Sequence, residues 1–212
     1  SSMVHTVLNT ALSPVMEEFD ISAARAQWLI TAFSLVMGVM VLATASLIRR
    51  FPNRPLYLTF MGLFCLGLLL SAAAPSFSVL LIGRILQALG CGMLLSLTQV
   101  VVLSAYPSEA QGRVMGIYGL AVSAAPVLAP TLSGIVIDLF GWHMVFWCAL
   151  LLSGIVWCAG LAFMKNITPT GAFTFDGLSL ALGACGFTGV VLGLGNAGSY
   201  GLFTISVLVP LR

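Results

Sequence analysis

Arg84 is the residue from which chemistry would start. It stands in GRILQALGCGM, well inside a long apolar run, and Gln87, Cys91 and Thr98 follow it at steps of 3, 4 and 7. Those steps place all four on one face of a helix. A guanidinium at membrane depth costs several kcal/mol unless it faces a polar interior and finds an acceptor, so Arg84 is a functional candidate by default. The bland alternative, an arginine that snorkels or is paired structurally, stays open.

Other polar groups recur at helical spacing in the preceding runs. Thr6, Asn9, Thr10 and Ser13 sit in the first, and Thr31, Ser34 and Gly38 in the second. Each hydroxyl alone is expected to bond back to its own helix. Together with Arg84 they imply a polar interior shared between helices. Reactive constellations are missing by contrast. His5 and His143 have no carboxylate at triad or metal-ligand spacing, and the chain has no HExxH, no GxSxG and no carboxylate pair inside a helix. The five cysteines all lie in apolar runs without CxxC spacing and read as small packing residues. Catalytic residues, metal ligands and bound cofactors are therefore not expected.

A different pattern occupies GLAVSAAPVLAPTLSG. Gly112, Gly116, Gly119, Ser123, Pro126, Pro130 and Ser133 recur at 4, 3, 4, 3, 4 and 3, which is one helical stripe with almost no side-chain bulk. In water two prolines inside a helix cost about 3 kcal/mol or more each, but in a membrane neighbouring helices or water re-satisfy the freed carbonyls. Small residues at such a face let two backbones approach closely. The stripe reads as a packing face with a bend, or as a seam between two bundles that rock.

These residues need elements to hold them, and composition says which. Of 212 residues, 60% are hydrophobic and 7% charged, with a net charge of +2. Ordinary soluble domains carry roughly 25% charged residues, so the chain is an all-α polytopic membrane protein embedded in a lipid bilayer. Its few scattered basic residues make no surface for nucleic acid. Apolar runs extend over Met3 to Met16, Trp28 to Ile48, Leu56 to Ala74, Phe77 to Ala105, Val114 to Leu139, Met144 to Met164 and Leu178 to Leu194, with an eighth starting near Leu202. The short first and last runs suggest a chain cut at both ends. Residues 1–164 read as a six-helix bundle with helix one incomplete, and 165–212 as a loop, helix seven and the start of helix eight. Arg49, Arg50, Arg54, Arg113 and Lys165 fall in loops on one side, against Arg25 on the other. The basic side is expected to be cytoplasmic, together with the N-terminus.

At this point the residues resemble the fourteen-helix drug:proton antiporters of the major facilitator superfamily. In the antiporter motif of helix five, Gly119, Pro126, Ala129, Pro130, Ser133 and Gly134 match or stand in for the family's Gly-Pro and Gly-Gly pairs. RILQALGCG is similar to the helix-four motif through Arg84, Gln87, Gly90 and Gly92, with Ala88 replacing a glycine. TVLNTALSPV is similar to the helix-one signature through Thr6, Asn9, Ala11 and Leu12, and FDGLSLALGACGFTGVVLGL to the extra central helix pair. Two positions depart. Arg49 stands where the loop after helix two carries an aspartate, and Val4 where helix one carries one.

The resemblance implies export of amphipathic, often cationic small molecules in exchange for protons across the bacterial inner membrane, with the proton gradient as driving force. Arg84, Gln87, Thr6, Asn9, Thr31 and Ser34 would line the proton and substrate pathway. A C-terminal half or an accessory efflux subunit would be the protein partner. A transport-incompetent remnant or a regulatory membrane subunit is the alternative, since no acidic residue is expected inside a helix.

Overall fold

The computed structural model describes residues 2–164, 183 and 186–189, with side chains from Ala11 onward apart from Ala45. Six helices make up the continuous part: α1 (Ser2–Phe19), α2 (Ala23–Arg50), α3 (Asn53–Ala72), α4 (Phe77–Ala105), α5 (Ser108–Phe140) and α6 (Trp142–Phe163). Among the described residues there is no strand. α2 to α6 are each long and apolar enough to cross a membrane, and α1 falls outside that set. The expected helices seven and eight lie outside the described residues, apart from helical positions at 183 and 186–189.

α4 begins and ends where its apolar run does, and the other helices overrun theirs at one end or both. The largest excess is at α5, which starts at Ser108 rather than Val114 and includes Glu109 and Arg113. Backbone hydrogen bonding carries a helix past the hydrocarbon and into the interface, where charges are at home. An acid in the first turn also suits the positive end of the helix dipole. The same extension brings Glu17 and Glu18 into α1, and Asp138 lies in the last turn of α5, so acidic residues do occur inside helices, contrary to expectation, but only in terminal turns where they are exposed. α5 runs unbroken through Pro126 and Pro130, and α1 contains Pro14.

The links are very short. α5 turns into α6 through Gly141 alone, whose φ of 81° is one that an L side chain rarely adopts. Just past the end of α1, Asp20 takes the left-handed conformation at φ 47°. Such tight connections make successive helices run in opposite directions, so α1–α2, α3–α4 and α5–α6 turn at one end of the bundle and α2–α3 and α4–α5 at the other.

α4 is the centre. It packs chiefly against α3 and α2, while α3 also meets α6 and α1 meets α5. Hydrocarbon tails are as apolar as leucine, so close backbone approach decides this packing rather than exclusion of water. A Cβ added at Gly90 would lie 2.5 Å from the Phe60 carbonyl oxygen of α3, and one at Gly92 would lie 2.6 Å from the Met37 carbonyl oxygen of α2. Gly67 of α3 and Gly83 of α4 face each other in the same way, the added Cβ of Gly67 lying 2.6 Å from the Gly83 carbonyl oxygen. Polar side chains then tie α3 to α6. Arg54 donates to the Leu161 carbonyl at 3.1 Å, Tyr57 to that of Val156 at 3.2 Å, and Trp157 to that of Leu58 at 3.0 Å.

Candidate functional site

The glycine contacts bring α3 and α4 together where their buried polar groups lie. Gln87 sits one helical turn after Arg84 on α4, and both are fully buried. Arg84 Nη1 donates to Gln87 Oε1 at 2.8 Å. Gln87 Nε2 donates to the Gly67 carbonyl at 3.0 Å and to Ser71 Oγ at 2.8 Å, both on α3. The direction of the chain follows from its ends. A guanidinium can only donate and a backbone carbonyl can only accept, so the amide between them has one workable orientation. Gly83 makes room for it, since a Cβ there would lie 2.5 Å from Ser71 Oγ.

α2 closes the other side. The Phe33 ring covers the Arg84 guanidinium with 4.2 Å between Cζ and the ring centroid, a cation–π contact in a water-poor setting. Farther along the same α4 face, buried Cys91 places Sγ 3.7 Å from Met37 Sδ. Arg84 Nε and Nη2 are buried and have no hydrogen-bond partner among the described residues. What the site offers is one positive charge, held on one donor and one face, with two donor nitrogens to spare.

The remaining candidates are spread more widely. Thr31 and Ser34 lie half-buried on α2, and Gly38 faces the ring of Phe187. Thr98, expected to share the Arg84 face, is exposed and donates to the Leu94 carbonyl one turn back at 2.7 Å. Thr6 and Asn9 lie on α1, with their side chains outside the described residues. In the α5 motif, Ala129 and Ser133 are buried, and Ser133 Oγ donates to the Pro130 carbonyl at 3.1 Å. Pro126 is half-buried, Pro130 is exposed, and an added Cβ at Gly112, Gly116, Gly119 or Gly134 would meet nothing within 4 Å. The stripe thus lies against other helices of the described bundle only near Ala129 and Ser133.

One cluster has no precedent in the sequence pattern. At the α1–α2 and α5–α6 end, Trp142 Nε1 donates to Glu18 Oε2 at 2.6 Å, and His143 Nε2 lies 3.8 Å from Glu18 Oε1. His143 stacks on Trp142 with ring centroids 3.6 Å apart. The partners are 124 residues apart, so no local spacing signals them. Among the described residues no group of three or more His, Cys, Asp or Glu could hold a metal ion.

A bundle of this kind, with the one charge buried among the described residues set between α2, α3 and α4, has relatives among known proteins. The chain is 40% identical over 206 residues to an uncharacterised MFS-type transporter, YcnB of Bacillus subtilis, covering 97% of this chain and 44% of that protein. It is also 40% identical over 208 residues to the lincomycin resistance protein LmrB of Bacillus subtilis, covering 97% and 43%. The chain therefore spans less than half the length of these curated relatives. Two crystal structures of the peptide transporter POT in complex with sulfate, one of them a mutant, share the fold at TM-scores of 0.73 and 0.67 and 15% identity. They cover 99% of this chain and 46% and 47% of theirs. The profile of the Major Facilitator Superfamily matches residues 1–206. With helices, relatives and profile in agreement, the chain belongs to the Major Facilitator Superfamily, a family of transporters and not of enzymes.

Proposed function

We propose that residues 1–164 are the N-terminal bundle of a proton-coupled antiporter that exports amphipathic small molecules, and that 165–212 begin the central helix pair. The observation that carries this is Arg84, a fully buried cation whose Nε and Nη2 are unpaired among the described residues. A buried charge left short of acceptors costs several kcal/mol, which a purely structural residue would have no reason to bear. Alternating access supplies the reason, since the group meets its acceptor in part of the cycle. The lincomycin resistance named for LmrB relatives at 40% and 36% identity supports drug export.

In this reading Arg84 and Gln87 form the polar gate, and Thr6, Asn9, Thr31 and Ser34 line the pathway. The open Gly112–Gly116–Gly119 face of α5 is the seam toward the second half of the transporter. No cofactor is required beyond the proton gradient. The protein lies in the bacterial inner membrane, with the Arg49, Arg50, Arg54 and Arg113 end in the cytoplasm.

Efflux of a fluorescent dye from a pump-deficient host expressing the full-length gene tests the proposal. Efflux is expected to stop on adding a proton uncoupler and to be lost in Arg84→Ala. A well-inserted protein that moves no dye would instead favour a regulatory membrane subunit or an inactive remnant.

A further inference from the structure

We propose that the unpaired edge of Arg84 binds a carboxylate carried by the transported molecule. The inference rests on the transport reading above and names the chemistry of its substrate.

Two contacts define what is left of the guanidinium. Nη1 is committed to Gln87 Oε1 at 2.8 Å, and the Phe33 ring covers one face at 4.2 Å. Nε and Nη2 remain, both buried and both without a hydrogen-bond partner among the described residues. These two nitrogens belong to the same long edge of the planar group. Their N–H bonds run side by side at the spacing of two carboxylate oxygens, the geometry of a bidentate Arg–carboxylate pair.

No acceptor for that edge is available in the described bundle. The other buried polar residues are Thr44, Asn53, Ser71, Gln87 and Ser133, none of them acidic. Glu17, Glu18, Asp20, Glu109 and Asp138 are exposed, at or beside helix ends. The charge balance of the interior follows. The described part buries one cation and no anion, so it repels a cationic head group and attracts an anionic one. Phe33 and Met37 on the α2 side provide an apolar wall suited to the rest of an amphipathic acid.

Benzoate, with the neutral and nearly isosteric benzamide as control, probes this site in the purified full-length protein by titration calorimetry. Benzoate is expected to bind at least about 10-fold more tightly than benzamide, the discrimination that one or more charge-assisted hydrogen bonds provide. Arg84→Lys keeps the charge but loses the planar edge, and is expected to weaken benzoate about 10-fold. Equal binding of the two probes, or unchanged benzoate affinity in Arg84→Lys, would overturn the proposal. So would an absence of benzoate binding to the unsubstituted protein, the result expected if an acidic side chain from the rest of a longer chain already fills the edge. The benzoate–benzamide comparison needs no variant, so it holds even where Arg84→Lys fails to fold. Uncoupler-sensitive dye efflux without benzoate binding would remove the carboxylate site and leave the transporter.

Discussion

Gln87 does three things with one side chain, and its amide is hard to replace. It accepts from Arg84 at 2.8 Å, donates to the Gly67 carbonyl at 3.0 Å and donates to Ser71 at 2.8 Å. Gln87→Leu keeps the volume but removes all three bonds and leaves a third guanidinium nitrogen short of an acceptor. Hydrogen bonds to a charged group are worth about 1.5–3 kcal/mol, so the variant is expected to lose at least that much stability. Thermal unfolding of the detergent-purified full-length protein measures it, and an unchanged midpoint would mean that water replaces the amide. Arg84 and Gln87 were legible in the sequence as neighbours on one helical face. Their partners were not. Ser71 and Gly67 precede Gln87 by 16 and 20 residues and lie across a turn, so helical spacing has no means of pointing to them.

At the scale of elements, glycine has opposite meanings on α4 and α5. Gly90 admits the Phe60 carbonyl oxygen to within 2.5 Å of where a Cβ would stand, and that neighbour is backbone that cannot rotate aside. Gly116 has open space at the same position. Gly90→Ala is therefore expected to destabilise by about 1–3 kcal/mol through overpacking. Gly116→Ala is expected to be neutral or to stabilise by up to about 1 kcal/mol through helix propensity. The two melting curves, compared in one detergent, check the signs, and a destabilised Gly116→Ala would place a neighbour against the stripe in the full-length protein. Periodicity alone could not have ranked these faces. It found the stripe on α5 because small residues recur there at 3 and 4, but a period records which residues share a face and not whether another helix reaches it. The close approach of α3 to α4 uses Gly67, Gly83 and Gly90 from two helices, a pairing visible only once both are placed.

The described bundle is one-sided. α2, α3 and α4 hold the buried residues of the polar node, whereas α5 and α6 expose Leu120, Val127, Leu139, Leu151 and Phe163. Hydrophobic runs predicted α2 to α6 well because a membrane span is set by length and apolarity, properties that belong to a segment by itself. The direction in which the bundle crosses is encoded separately, in charge. Arg49 and Arg50 end α2, Arg54 begins α3 and Arg113 lies early in α5, so four cations gather at one end. The other end has Arg25 with Glu17, Glu18, Asp20 and Asp138, and its link between α3 and α4 around Pro75 has no charge. By the positive-inside rule, charge of this asymmetry predicts the basic end to be the cytoplasmic one, the orientation proposed above. Ser76 caps α4 at the acidic end and Ser108 opens α5 at the basic end, and both are exposed. In a full-length protein with its other cysteines changed to alanine, Ser76→Cys is expected to react with an impermeant maleimide in intact cells. Ser108→Cys is expected to react only after the membrane is opened. The reverse pattern would invert the orientation and put Arg84, which lies nearer the Ser76 end of α4 than the Tyr106 end, on the cytoplasmic side of the midplane instead of the outer one.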